Sequence, residues 1–162
     1  MALEYAGYGL LDGPERVILH GCNARGKFGA GVAKSIADAH PRAKVAYLRA
    51  WEEGRLLPGN IIWSSSGPWR IGNAVTQDRY GREHGVRYVR PEAVRQTIRT
   101  MDVLAQRSRE EAVVRDWFNG CIERVAMPRI GAGLGGGDWE EIETVIREEA
   151  KHFTVVVCIP VG

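Results

Sequence analysis

Two glycine-rich segments carry most of the residues with chemical potential. The first is HGCNARGKFGAGVA, His20–Ala33. Histidine titrates in the neutral range, so His20 is a candidate acid or base. The competing assignment is a histidine that caps a buried strand and bonds to backbone. Asn23 either closes a tight turn or offers its amide to a ligand. Gly26, Gly29 and Gly31 allow the backbone to approach a ligand closely, and the helix expected after them presents unpaired N–H groups suited to an anion. The second segment is MPRIGAGLGGGD, Met127–Asp138, which also links a strand to a helix. Backbone amides from two such loops would grip an extended diphosphate with few charged side chains.

Two familiar nucleotide motifs fail. Lys34-Ser35 suggests a P-loop, but Ala33 and Phe28 stand where that motif needs glycine. Gly131, Gly133 and Gly136 match G-x-G-x-x-G, yet the following strand, Val155–Ile159, ends without the carboxylate that holds a ribose in a dinucleotide fold. Asp138 begins Asp-Trp-Glu-Glu, the spacing of a helix capping box, so capping is preferred to catalysis. Cys22 lies two residues from His20 and shares its strand face, but no third orienting residue supports a nucleophile. Arg25 and Lys27 either contact phosphate or face solvent as loop charges, the second being preferred. Phe28 either stacks on a sugar or packs as a lid, and Trp63 and Trp69 are assigned to packing.

The elements that must position these loops alternate between strand and helix. Strands are expected at Arg16–His20, Asn60–Ser64, Trp69–Val75, Glu123–Met127 and Phe153–Ile159. Helices are expected at Ala30–Ala39, then Arg42–Trp51 with Val45, Leu48 and Trp51 as its apolar positions. Further helices are expected from Pro91 to about Ala105 and from Trp139 to about His152. The polar segment Arg107–Asn119 is either a short helix or an exposed insertion. This order implies an α/β layered domain with a largely buried sheet. Ligands in such sheets sit beyond the carboxyl ends of the strands, where both glycine segments fall.

The 162 residues fit one domain, 1–162, large enough to bury its own core. Charge is nearly balanced, with 22 Lys and Arg against 20 Asp and Glu, which argues against a dedicated DNA binder. Three cysteines without a CxxC pair indicate reduced thiols and neither disulfides nor zinc. No metal site and no cofactor are expected. No signal peptide and no ~20-residue apolar span is present, which predicts a cytoplasmic protein without membrane contact.

The motifs HGCN, GAGVA and PRIGAGL, in that order, resemble the macrodomain family, and specifically its small microbial and viral branch that processes ADP-ribose-1''-phosphate. NAVTQDRYG (Asn73–Gly81) and RYVRPEAVR (Arg87–Arg95) extend the resemblance, which runs from about Tyr8 to Ile159. It implies a three-layer α/β/α sandwich with a mixed central sheet and ADP-ribose in a surface cleft. By similarity, Asn23 bonds the distal ribose, and Gly29, Ala30, Gly31 and Val32 wrap that ribose and the diphosphate. Gly131, Ala132, Gly133 and Leu134 offer amides to the diphosphate, with Thr76 and Gln77 near the cleft floor. Many relatives bind adenine through a first-loop Asp; Gly9 occupies that place here, beside Leu10. One branch uses a lysine and an aspartate to remove ADP-ribose from glutamate; Gln77 and Gly135 stand at those positions. The expected function is ADP-ribose binding with hydrolysis of ADP-ribose-1''-phosphate, His20 and Asn23 being catalytic. The alternatives are a reader of ADP-ribose and a hydrolase acting on ADP-ribosylated macromolecules.

Overall fold

A computed structural model describes residues 3–81, 83, 86–131 and 138–160. Among these residues six strands form one mixed sheet: β1 (Leu3–Ala6), β2 (Val17–Asn23), β3 (Ile61–Ser66), β4 (Trp69–Gln77), β5 (Arg124–Met127) and β6 (Thr154–Cys158). Their spatial order is β1-β6-β5-β2-β4-β3. All neighbours run parallel except the β3–β4 hairpin. Leu3 faces Val155 in the β1–β6 ladder, and His20 faces Asn73 in the β2–β4 ladder.

The helices are α1 (Gly31–Ala39), α2 (Pro41–Glu52), α3 (Pro91–Glu110), α4 (Ala112–Trp117) and α5 (Trp139–Glu149). Strand alternation sorts the core onto two faces. Val17, Leu19, Val125, Met127, Val155 and Val157 pack with α3, α4 and α5. Ile18, Cys22, Ile71, Val75, Ala126 and Val156 pack with α1 and α2. The result is the three-layer α/β/α sandwich that the sequence implied. None of the described helices is long and apolar enough to cross a membrane.

Four details depart from the sequence reading. β1 was not anticipated: it is four residues long, and Leu3 is its one buried side chain. The helix from Pro91 continues to Glu110, and Arg107–Asn119 becomes its last turn plus α4. Its charged residues lie toward the surface, while Val114 and Phe118 are buried and Ser108 Oγ, also buried, accepts from the Ile122 amide. α5 stops at Glu149, because Asp102 Oδ1 accepts from the Lys151 and His152 amides and draws the chain away. In α2 the inward residues are Ala43, Tyr47 and Ala50, whereas Val45 and Trp51 are 56% and 46% exposed. Two alanines let this helix lie close enough for Asn73 Nδ2 to donate to Ala43 O across 3.0 Å.

Candidate functional site

The carboxyl ends of β2, β4 and β5 open into a cleft of about 950 Å³. Its floor comes from Gly21, Cys22 and Asn23 of β2 and from Thr76 and Gln77 of β4. One wall is the loop from Gly26 into the start of α1, backed by Lys44 and Leu48 of α2. The opposite wall is Pro128–Gly131 after β5, with Tyr80 and Gly81 at the rim.

The first wall is shaped by a register shift in β2 between Cys22 and Asn23. Asn23 Oδ1 then accepts from the Arg25 amide at 2.9 Å and the Lys27 amide at 3.3 Å, while Nδ2 donates to Lys27 O at 2.8 Å. This is the Asx-turn role of asparagine, and it leaves the second Nδ2 hydrogen for the cleft. Gly26 takes φ +76° with its Cα side against the Trp51 indole, where a Cβ would lie 2.9 Å from ring atoms. Phe28 is buried, edge-on to His20 and tilted against Tyr47, so it packs as core beneath the wall. α1 begins without a side-chain cap, and its first N–H groups are open to an anion.

The second wall is equally tight. A Cβ on Gly21 would stand 2.8 Å from Thr76 Oγ1 and 3.1 Å from Ile130, so glycine lets β2 pass beneath the β5 loop. Gly131, at φ +81°, lies against Val89. The Ala24 amide donates to Asp78 O, joining the first loop to the segment after β4.

Charge in the cleft has one sign. Lys27, Lys44 and Arg129 line it, and none of its described lining residues is a carboxylate. None of the three joins an ion pair among the described residues. Such a surface, with glycine backbone on both sides, suits an extended polyanion.

His20 lies apart from the cleft. Its ring is fully buried on the α1/α2 side and is absent from the cleft lining. Asn73 Nδ2 is committed to Ala43 O, so Asn73 Oδ1 faces His20 Nε2 at 2.6 Å and must accept from it. That network assigns the proton to Nε2. Burial, only partly offset by this bond, lowers the imidazole to about 4, so His20 is neutral near pH 7. Through Asn73 it is linked to Ala43 O of α2, and it lines no part of the cleft. Cys22 Sγ lies 3.8 Å from both ring nitrogens. A thiol aimed at one nitrogen lone pair would be nearer to that nitrogen, so the pair lacks the geometry of an activated nucleophile. Burial also pushes the thiol far up.

Of the other expected residues, Asn23, Phe28, Gly29, Ala30, Gly31, Val32, Thr76 and Gly131 come together in the cleft lining. Gly9 and Leu10 do not. Leu10 packs on the α1/α2 core, and a Cβ on Gly9 would lie 2.5 Å from Asp12 Oδ2. Ala132, Gly133 and Leu134 lie outside the described residues. Asp138 caps α5 by accepting from the Glu140 amide. Sequence reasoning missed Tyr47, Asn73, Lys44, Leu48 and Tyr80. Asn73 had a detectable signal, a polar residue inside the apolar strand pattern of β4.

The sequence matches the Macro domain family over residues 19–146. The chain belongs to that family. This macrodomain is 28% identical over 158 residues to the ADP-ribose 1''-phosphate phosphatase of Saccharomyces cerevisiae, covering 88% of each chain. It is 27% identical over 151 residues to the DNA ADP-ribosyl glycohydrolase of Thermus aquaticus, covering 90% of this chain and 37% of that relative. Among solved structures it resembles the macrodomain of Thermus aquaticus DarG, with a TM-score of 0.72, 27% identity and 98% coverage of each chain.

Proposed function

We propose that this macrodomain binds ADP-ribose or a close derivative in the cleft and releases phosphate from ADP-ribose-1''-phosphate. The observation that carries the reading is the lining: three cations that join no ion pair among the described residues and two glycine walls, with no described carboxylate to repel phosphate. The diphosphate would run between the α1 N-terminus and the Pro128–Gly131 wall. Asn23 Nδ2 would donate to the distal ribose or the terminal phosphate. Similarity to the yeast phosphatase over most of both chains supports the choice of reaction.

The chemistry must run without His20 as a direct participant. In phosphate monoester hydrolysis, water attacks phosphorus, the P–O1'' bond breaks, and the proton lost by water reaches the leaving oxygen. A loose transition state needs positioning and charge stabilisation more than a strong base. Lys27, Lys44, Arg129 and the loop amides supply those, and the phosphate oxygens themselves can carry the proton. Cys22, Cys121 and Cys158 are free thiols, which fits a reducing compartment such as the cytoplasm.

The test is incubation of purified protein with ADP-ribose-1''-phosphate, followed by measurement of inorganic phosphate. Asn23→Ala should retain its fold and lose most turnover. Micromolar ADP-ribose binding without phosphate release would leave a reader of ADP-ribose and overturn the phosphatase assignment. A second reading, release of ADP-ribose from modified DNA, is favoured by similarity to the Thermus aquaticus glycohydrolase and by the cationic lining. Labelled ADP-ribose that stays on modified DNA after incubation would eliminate it.

A further inference from the structure

The first wall is held from below by a side chain that lines no part of the cleft. Tyr47 of α2 is fully buried, and its hydroxyl lies 2.7 Å from Asn23 O, 2.9 Å from Asn23 Oδ1 and 3.1 Å from the Gly26 amide nitrogen. A phenol has one proton to donate and lone pairs to accept. It therefore shares its one proton between Asn23 O, the nearer acceptor, and Asn23 Oδ1, and accepts from Gly26 N–H. We propose that Tyr47 is a positioning residue for ligand recognition: its hydroxyl fixes the Asn23 carboxamide and the Gly26 turn in the arrangement that the ligand meets. The proposal rests on the reading of the cleft as an ADP-ribose site.

The carboxamide has two orientations, and its neighbours select one. Three donors, the Arg25 amide, the Lys27 amide and the Tyr47 hydroxyl, converge on Oδ1. Nδ2 donates to Lys27 O. The oxygen is turned into the loop, and the remaining N–H is a donor toward the cleft, suited to a sugar or phosphate oxygen. Without the phenol, Oδ1 keeps one good donor at 2.9 Å and a weaker one at 3.3 Å.

The position of Tyr47 is itself secured. One turn earlier, Ala43 O accepts from Asn73 Nδ2, which ties α2 to the centre of the sheet. One turn later, the Trp51 ring lies beneath Gly26. The sheet thus sets α2, and α2 sets the loop. Ring packing alone does not explain a tyrosine. Phenylalanine would keep the contact with Phe28, whose ring centre is 4.9 Å away, but would leave the Gly26 amide and the Asn23 oxygens short of a partner.

Tyr47→Phe separates the two roles. Calorimetric titration with ADP-ribose should show about a tenfold weaker affinity, the usual consequence of losing a buried hydrogen-bond partner. Titration with ADP, which lacks the distal ribose, should stay within twofold of the wild-type value. In ¹⁵N spectra the Gly26 and Lys27 amides should shift and exchange faster, while β5 and β6 amides stay in place. Equal ADP-ribose affinity in both proteins, or an equal loss for both ligands, would overturn the proposal. If the wild-type protein bound ADP but not ADP-ribose, the ligand reading would fail first and the positioning role with it.

Discussion

Acid should destabilise this protein through His20 in a way that one substitution removes. The folded imidazole is held at about 4, against an ordinary value of 6.5. Above pH 6.5 the ring is neutral whether the chain is folded or unfolded, and its buried place contributes fully. As pH falls from 6.5 towards 4, the unfolded chain takes up a proton that the folded chain refuses. Stability is therefore lost on acidification through that window, by about 1.4 kcal/mol per pH unit. The whole window amounts to about 3 kcal/mol, a large share of the ~5–15 kcal/mol available to a domain. His20→Gln is the control, since its amide reaches Asn73 Oδ1 as a donor and does not titrate. Urea unfolding of both proteins at pH 7.5, 6.5, 5.5 and 4.5 supplies the measurement. Carboxylates and His40 titrate in both proteins and cancel in the difference. The free-energy gap between wild type and variant should move in favour of the variant by about 2–3 kcal/mol over that range. A gap that stayed constant with pH would refute the assignment of a neutral buried His20. So would a kcat/KM limb near pH 6.5 that vanished in the variant.

Two further outcomes follow from the loops. Gly131→Ala places a Cβ about 2.8 Å from Val89 in a left-handed backbone conformation, so it should cost about 1–2 kcal/mol in thermal unfolding and weaken ADP-ribose binding at least tenfold in calorimetry. Asp138→Ala removes the acceptor for the Glu140 amide and should lower stability by about 1 kcal/mol. Its ADP-ribose affinity should remain unchanged, which separates capping from catalysis.

The glycine spacing made both cleft walls legible from the sequence. Of the fourteen residues expected to bind or catalyse, eight line the cleft, namely Asn23, Phe28, Gly29, Ala30, Gly31, Val32, Thr76 and Gly131, while Ala132, Gly133 and Leu134 lie outside the described residues. Where the structure departs from the sequence pattern, the causes are physical. His20 drew a catalytic assignment because it precedes a glycine loop, yet strand alternation puts it with Ile18 and Cys22 on the inward face of β2. In α2 the larger apolar side chains Val45 and Trp51 suggested the buried stripe, whereas close packing on the sheet selected alanines and one tyrosine. Tyr47 and Asn73 act through partners 24 and 30 residues away in the chain, and no local pattern encodes such pairings. β1 is too short to show a periodicity.

The pairing of β1 with β6 has a consequence for biosynthesis. Leu3 sits opposite Val155, so β1 is translated about 150 residues before the strand beside it. β6 also completes the flank of β5, from which the second cleft wall grows. Until β6 leaves the ribosome, β1 has no neighbour and β5 presents an open edge, a template for unwanted pairing with other chains. A nascent chain stalled before Thr154 should therefore be the form most in need of a chaperone, and ligand should begin to protect the protein only after the final strand has docked.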